Sequence, residues 1–436
     1  MHKTLLKKIN SKNLCVGIFG LGYVGLPLAL RFAEKKFEVY GYDVNVNKIN
    51  KIKRGRSYIS QIPNSKIKKY INKNLKVYSD FRLIDQLNVL IFCLPTPIKK
   101  NKSPDLSFLG KTLKQIKNKL KKGQIFIHES TSYPGTTEEY FEKIFNEKKF
   151  VVGKDCFLIF SPEREDPGNK KFNIKNITKV VSGKTNNCLS VGVKLYEKIV
   201  NKVFKAEDLK TAEMSKLMEN IYRSVNIALA NEMKIIAEKM DIDIWKVIEA
   251  AKSKPFGFQP FYPGPGVGGH CIPVDPYILT WKAKQFKMDT RFINLAGTIN
   301  NSMPNLIAQK TYKVIKKINK NTKKIKVLIL GVAFKPNVDD YREAPSQKII
   351  QILIDRYNFN VSYCDPYVPI LNKTNLNSHK MKSIKLNYKS FKNYDCVIIV
   401  TNHKLFDFDK VKKYAKLIID TRGIYKNQKL KKIISA

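Results

Sequence analysis

Apolar residues fall in short clusters separated by polar, lysine-rich stretches, and their spacing changes along the chain. LCVGIF (14–19), FEVYGY (37–42), VLIFCL (89–94), QIFIH (124–128) and CFLIF (156–160) are short and mostly apolar, the pattern of strands buried on both faces of a sheet. A helical stretch, 26–35, separates the first two. From 208 to 240 the period changes. That stretch has neither Gly nor Pro, and Leu209, Met214, Leu217, Ile221, Val225, Leu229, Met233 and Ile236 recur every three to five residues. This predicts one long amphipathic helix that joins two domains, with an apolar stripe able to pack on a partner subunit. Residues 241–310 read as helices interrupted by a glycine–proline loop, and 315–324 as a lysine- and asparagine-rich linker. Strands then return at 326–330, 361–364, 396–400 and 417–419. The fold class expected is α/β: two Rossmann-like doubly wound domains joined by a long central helix and a helical middle domain. The expected boundaries are 1–207, 208–314 and 320–436.

The chain's 436 residues allow two or three full-sized cores. Seven scattered cysteines form no CxxC pair, which argues against a disulfide framework or a metal site and suits a reducing, cytoplasmic compartment. Lys and Arg number 81 against 36 Asp and Glu, a net charge of +45. Such an excess raises nucleic acid or an anionic membrane as partners. The lysines are spread along the whole chain, however, and runs such as 111–122 read as solvated helix faces. Aromatics do not interleave with any basic cluster. Neither partner is therefore expected, although the positive field would attract a doubly charged nucleotide. No apolar run reaches the length of a membrane span. Basic residues up to Lys12 ahead of apolar 14–33 mimic a signal peptide, but the glycines in that run fit another pattern.

That pattern is Gly20-Leu-Gly22-Tyr23-Val24-Gly25 between a strand and a helix, followed by a strand ending at Asp43. Bare backbone amides at a helix N-terminus hold a pyrophosphate. Asp43 would accept from both ribose hydroxyls and repel a 2′-phosphate, so NAD is the expected cofactor. Polar clusters follow the later strands: Pro95-Thr96-Pro97, Glu129-Ser130-Thr131 and the stretch 161–168 with Glu163 and Arg164. In a doubly wound sheet the ligand crevice lies at those strand ends. Thr131 as a helix cap and Glu163 as a surface acid are the plainer readings. His128, at a strand end, reads as packing. The second α/β half carries Gly331-Val-Ala-Phe-Lys335-Pro without GxGxxG spacing. It should hold a nucleotide differently, with Lys335 and Arg342 placed for a diphosphate.

GPGVGGHCIPVDP (264–276) sets Cys271 in a stiff glycine- and proline-rich loop, with Asp275 four residues on. The plain reading is a buried structural thiol. Lys216 and Asn220, four apart, share a face of the predicted long helix. His270 adjoins Cys271, but neighbouring residues rarely aim side chains at each other.

With these residues in hand, the chain resembles the UDP-glucose/GDP-mannose dehydrogenase family, the nucleotide-sugar 6-dehydrogenases. The resemblance runs nearly end to end, through GLGYVGLPLA (20–29), PTP (95–97), ESTSYPGTT (129–137), SPERE (161–165), AEMSKLMEN (212–220), GGHCIPVDP (268–276) and GVAFKPNVDDYRE (331–343). FSPEREDPGN (160–169) and KPFGFQPFYPGPG (254–266) look most like the UDP-N-acetylglucosamine 6-dehydrogenase branch. The resemblance implies an NAD-binding domain, a helical middle domain that often makes a dimer, and a C-terminal domain for UDP. It also implies oxidation of a sugar C6 alcohol to a carboxylate with two NAD reduced. By motif position Cys271 looks like the nucleophile, supported by Lys216, Asn220, Asp275, Thr131 and Glu163. The expected cofactor-binding set is Gly20, Gly22, Tyr23, Val24, Gly25, Asp43, Thr96 and Thr131. The expected substrate-binding set is Glu163, Arg164, Lys216, Asn220, Phe261, Tyr262, Gly268, Lys335 and Arg342. Some relatives carry an arginine shortly before the glycine–proline loop that reaches a neighbouring subunit's substrate. Residues 250–262 here hold Lys252 and Lys254 but no Arg.

The chemistry explains those residue types. The first hydride transfer leaves an aldehyde. A thiolate at Cys271 adds to give a thiohemiacetal, which can lose a second hydride and become a thioester. A cysteine of ordinary pKa, about 8.5, is mostly protonated at neutral pH, and an ammonium such as Lys216 would lower it. Lys216 and Asn220 can stabilise the oxyanions. Asp275, with a water held by Thr131, suits the proton transfers of oxidation, and Glu163 suits the hydrolytic base. A two-electron hydroxyacid dehydrogenase would share the first Rossmann unit and a helical lysine but needs neither Cys271 nor a second nucleotide domain. The expected partners are a UDP-sugar and further copies of the chain.

Overall fold

The computed structural model describes all residues except 100, 167, 168, 170, 319–324, 427 and 429. By packing, the described chain falls into two compact units. The first comprises residues 1–219 and 277–286, the second 220–276 and 287–436. The expected boundary near 207 falls between the strand Val203–Lys205 and the helix Leu209–Lys239, and the one near 314 falls inside the helix Arg291–Ile318.

In the first unit the strands are β1 (Cys15–Phe19), β2 (Glu38–Tyr42), β3 (Leu75–Tyr78), β4 (Val89–Phe92), β5 (Gln124–His128), β6 (Cys156–Phe160), β7 (Lys179–Gly183) and β8 (Val203–Lys205). They lie in the order β3-β2-β1-β4-β5-β6-β7-β8. All neighbours are parallel except β6 and β7. The helix Gly25–Glu34 buries Leu26, Leu28, Leu30 and Phe32 within a core that also holds Val16, Ile18 and Val39. A second core is aromatic: Phe19 lies between Tyr42 and Phe92, with ring centroids 4.9 and 4.8 Å away. The N-terminal residues that mimic a signal peptide form a surface helix, His2–Ser11, which buries Leu5 and Ile9.

In the second unit β9 (Lys326–Leu330), β10 (Asn360–Cys364), β13 (Cys396–Ile399), β14 (Ile418–Asp420) and β15 (Ile433–Ser435) form an all-parallel sheet. Its order is β10-β9-β13-β14-β15. A small antiparallel ribbon joins β11 (Ile370–Leu371) to β12 (Met381–Lys382). The helix Arg291–Ile318 continues to 318, so the start of the expected linker is helical; 319–324 lie outside the described residues.

The long helix is Leu209–Lys239. Its apolar stripe is only partly buried. Leu217 is covered, while Met214, Met218, Leu229, Met233 and Ile236 are exposed. No described helix is long and apolar enough to cross a membrane.

Candidate functional site

The glycine turn after β1 is forced by crowding. Gly20 has φ +91°, and a Cβ there would stand 2.5 Å from the Cys93 carbonyl oxygen. A Cβ on Gly25 would collide with the Gly20 carbonyl oxygen, whereas Gly22 faces open space. Tyr23 and Val24 complete the turn, and Val24 precedes the helix Gly25–Glu34. The turn therefore brings backbone amides to a helix N-terminus beside free volume, which suits a pyrophosphate. Asp43 at the end of β2 accepts from the Leu21 N–H (3.0 Å) and the Asn45 N–H (2.9 Å). It also pairs with the Lys48 ammonium at 3.2 Å. Three bonds leave about one of a carboxylate's four acceptor positions open, so Asp43 has less capacity for two ribose hydroxyls than its sequence position suggests. Thr96 is buried after β4. Thr131 is half-buried after β5 and does not cap the next helix, whose cap residue is Gly135.

Beside this lies a buried carboxylate cluster. Lys179, at the start of β7, pairs with Glu129 and approaches Glu163 at 3.8 Å. The Tyr196 hydroxyl donates to Glu129 at 2.6 Å. Glu163 accepts from the Glu165 backbone N–H and is largely covered, so it is not a plain surface acid. Burial and the neighbouring Glu163 push the Glu165 carboxyl up to about 7. Burial also raises Glu129, while it opposes the charge of Lys179, which the two glutamates nevertheless hold above its ordinary value. Arg164 is engaged within the first unit: its Nη1 donates to the Thr178 carbonyl at 2.9 Å and its Nη2 pairs with Glu219 at 2.6 Å. His128 is wholly buried between Phe141 and Phe160, with Nδ1 2.8 Å from the Thr137 hydroxyl. Burial lowers its pKa to about 3, in keeping with packing.

In the second unit the Cys271 carbonyl accepts from the N–H groups of Val274 (3.1 Å) and Asp275 (2.8 Å), so the cysteine leads into the helix Asp275–Gln285. The approach is packed tightly. Gly266 and Gly269 have φ +116° and +83°, and a Cβ on Gly268 would stand 2.9 Å from Phe334 and from the Glu343 carbonyl. The Gly269 N–H donates to the Arg342 carbonyl at 2.9 Å, and Gly264 N–H to Asn231 Oδ1 at 2.9 Å. Asn231 is held in turn by Asn300. Asp275 accepts from the Asn220 side chain, whose oxygen accepts from Arg223. Lys216, one turn earlier on the same helix, is buried. Burial and Arg342 lower the His270 pKa.

Phe261 meets Tyr222 edge-on at 5.7 Å, and Tyr262 stacks on Trp245 at 6.0 Å. Lys335 lies 5.7 Å over the Phe334 ring. Arg342 is bound in bidentate fashion by Asp340, so its charge is already partly neutralised. Arg422, after β14, is a cation that the sequence reading missed. Its Nε donates to the Val400 carbonyl at 2.7 Å, and burial lowers its pKa to about 10. Lys179, Glu129, Tyr196 and Arg223 were also missed. Of these, only Glu129 carried a signal, its place in a strand-end polar cluster.

Three family models cover the chain. Residues 14–200 match the NAD binding domain of the UDP-glucose/GDP-mannose dehydrogenase family, 210–302 its central domain and 328–427 its UDP binding domain. The UDP-N-acetyl-D-mannosamine dehydrogenase of Methanocaldococcus jannaschii is 36% identical over 427 residues, covering 95% of this chain and 92% of that protein. The UDP-N-acetyl-D-glucosamine 6-dehydrogenase of Pseudomonas aeruginosa is 36% identical over 400 residues, covering 91% and 92%. The structure of a UDP-D-ManNAc dehydrogenase from Pyrococcus horikoshii superposes with a TM-score of 0.84 at 32% identity, covering 94% of this chain and 96% of that one.

Proposed function

Since the chain belongs to the UDP-glucose/GDP-mannose dehydrogenase family and is an NAD-dependent nucleotide-sugar dehydrogenase, we propose that it oxidises the C6 alcohol of a UDP-N-acetylhexosamine to the uronate, with UDP-N-acetylglucosamine as the first candidate. The observation that carries this reading is Cys271 in a loop with no room for side chains, leading into the helix that begins with the Asn220-bonded Asp275. A two-electron oxidation has no use for that arrangement. Relatives named for glucosamine and for mannosamine sugars match about equally well, so the epimer is the finer part of the proposal.

In this mechanism the turn of Gly20, Gly22 and Gly25 would hold NAD, which would supply the hydride acceptor for both oxidations. Asp275 takes the C6 hydroxyl proton as the first hydride leaves. The Cys271 thiolate then adds to the aldehyde carbon, and Lys216 and Asn220 stabilise the oxyanion. Loss of the second hydride leaves a thioester. Water attacks it with Glu163 as base, releasing the carboxylate and the free thiol. The balance is one alcohol, one water and two NAD giving one carboxylate, two NADH and three protons. The exposed methionine-rich stripe of the long helix supports a homodimer. A cytoplasmic location and supply of precursors for surface polysaccharide belong to the same proposal.

The test is to count NADH per sugar with UDP-N-acetylglucosamine, UDP-N-acetylmannosamine, UDP-N-acetylgalactosamine and UDP-glucose, ranked by kcat/KM. Two NADH per sugar is expected, and Cys271→Ala should make no uronate. One NADH per sugar with an aldehyde product, or normal turnover in Cys271→Ala, would end the thioester route.

A further inference from the structure

Lys179, at the start of β7, has no task in the hydride and thiolate steps, yet several groups converge on it. Its ammonium is buried, pairs with Glu129, donates to the Pro162 carbonyl at 3.3 Å and lies 3.8 Å from the Glu163 carboxylate. The Tyr196 hydroxyl donates to the other Glu129 oxygen at 2.6 Å, and the Tyr196 ring lies 5.3 Å from the ammonium. Among the described residues Lys179 is the one cation paired with Glu163. Arg164, next along the chain, pairs with Glu219 instead.

The same stretch of chain fixes the loop that carries Glu163. The Ser161 hydroxyl donates to the Val180 carbonyl at 2.7 Å, and Arg164 Nη1 donates to the Thr178 carbonyl at 2.9 Å. With the Lys179 bond to Pro162, residues 178–180 thus hold the loop on both sides of the glutamate. The charges around it need a cation. Burial opposes the charge of Lys179, but Glu129 and Glu163 keep its pKa above the ordinary value. Burial and Glu163 push the Glu165 carboxyl up to about 7, and burial pushes the Cys93 thiol well above its ordinary value. Without Lys179, an ionised Glu163 would face Glu129 and Glu165 uncompensated.

We propose that Lys179 is a positioning residue for thioester hydrolysis: braced by Glu129 and Tyr196, it fixes the 161–164 loop and keeps the Glu163 carboxylate ionised to receive a proton from the attacking water. This role rests on Glu163 as the hydrolytic base. In that step the water oxygen bonds to C6, one water proton goes to Glu163, and the C6–S bond breaks to leave the Cys271 thiolate. The second water proton is lost to solvent as the carboxylate forms. An opposite charge within about 4–6 Å favours an ionised carboxylate, and removing it favours the neutral form, which cannot take the proton.

The test is rapid-quench turnover of the full chain with NAD and whichever of the four UDP-sugars is oxidised fastest. NADH is followed with time, and the Cys271 acyl adduct by mass spectrometry. Lys179→Met should release a burst of two NADH per active site, then turn over at least about tenfold more slowly at pH 7 while the adduct accumulates. The acid limb of its kcat profile should move upward by about one pH unit, and Lys179→Arg should restore both readouts. Because Lys179→Met strands Glu129, the double variant Glu129→Gln/Lys179→Met gives the same readouts without an unpaired buried charge. Glu163→Gln is the control for the base itself and should also accumulate adduct. Adduct in Glu163→Gln, with wild-type hydrolysis and acid limb in folded Lys179→Met or the double variant, would overturn the positioning role alone. No adduct in Glu163→Gln would remove the base assignment and this role with it.

Discussion

The two α/β units solve the same backbone problem and then part. Gly20 follows β1 and Gly331 follows β9, with φ of +91° and +79°. Each N–H donates to a carbonyl of the adjacent strand, Tyr42 or Cys364. Each would drive a Cβ against a carbonyl oxygen on the other side, Cys93 or Thr401. An acid follows the next strand in both: Asp43 after β2 and Asp365 after β10. Beyond this the units differ. In the first, the helix starts at once, at Gly25, and the Asp43 side chain keeps 8% of its surface. In the second, the helix starts only at Pro345, and Asp365 is fully covered. Its carboxylate accepts from the N–H groups of Val332, Ala333, Tyr367 and Val368 and lies 3.0 Å from His403 Nε2. The corner that takes a ribose in a dinucleotide site is thus filled by a histidine in the second unit. A strand–glycine–acid order defines a turn; what covers the acid decides whether the turn can hold a dinucleotide.

Variants can break or sharpen this contrast. Gly25→Ala should be the most damaging, because its Cβ meets a backbone oxygen that cannot move aside. A loss of more than about 3 kcal/mol and of NAD binding is expected, read by thermal unfolding and cofactor titration. Replacing His403 by Leu strands a buried carboxylate and should cost about 3–5 kcal/mol, seen in denaturant unfolding through Trp245, while NAD affinity at the native protein stays unchanged. An NAD affinity that fell with His403→Leu would break the contrast. Asp43→Asn should do the opposite, weakening NAD by about tenfold with little change in Tm.

A further effect is in pH. Burial holds the His128 pKa at about 3, below the ordinary 6.5, so the unfolded chain binds the extra proton between those values. Its contribution to stability is complete above pH 6.5 and is lost as pH falls toward 3. Relative to His128→Asn, the wild type should lose stability over that window in the unfolding transition reported by Trp281. Burial opposes the charge of Asp365, but its bond to His403 and the backbone N–H groups hold its carboxyl below the usual range. Its contribution is present above the ordinary carboxylate pKa and is lost as pH falls through the depressed one, so the second unit should yield at lower pH.

Much of this architecture is legible in the sequence because buried parallel strands are nearly continuous apolar runs. β5, β6 and β9 fall where the pattern puts them, and the long helix within a residue at each end. β3, β7 and β8 escape it. LKVY alternates with polar residues, KVVSG has only two apolar residues between a lysine and Ser-Gly, and VFK is too short to carry a period. The glycine turn and the Cys271 loop are legible because only glycine tolerates such crowding. Partners brought together by the sheet, such as Lys179 with Glu129 or His403 with Asp365, are far apart in sequence and leave no local mark. Nor does the sequence show that Asp340 already holds Arg342, or that Asn220 already serves Asp275.

The long helix has one further consequence. Met214, Met218, Met233 and Met240, half of the chain's eight methionines, are exposed on it or at its end. Thioethers take up oxygen from peroxide and become polar sulfoxides. These four positions therefore form a built-in chemical footprint: mass spectrometry of the peroxide-treated protein, across dilution, would reveal whether another surface shields them.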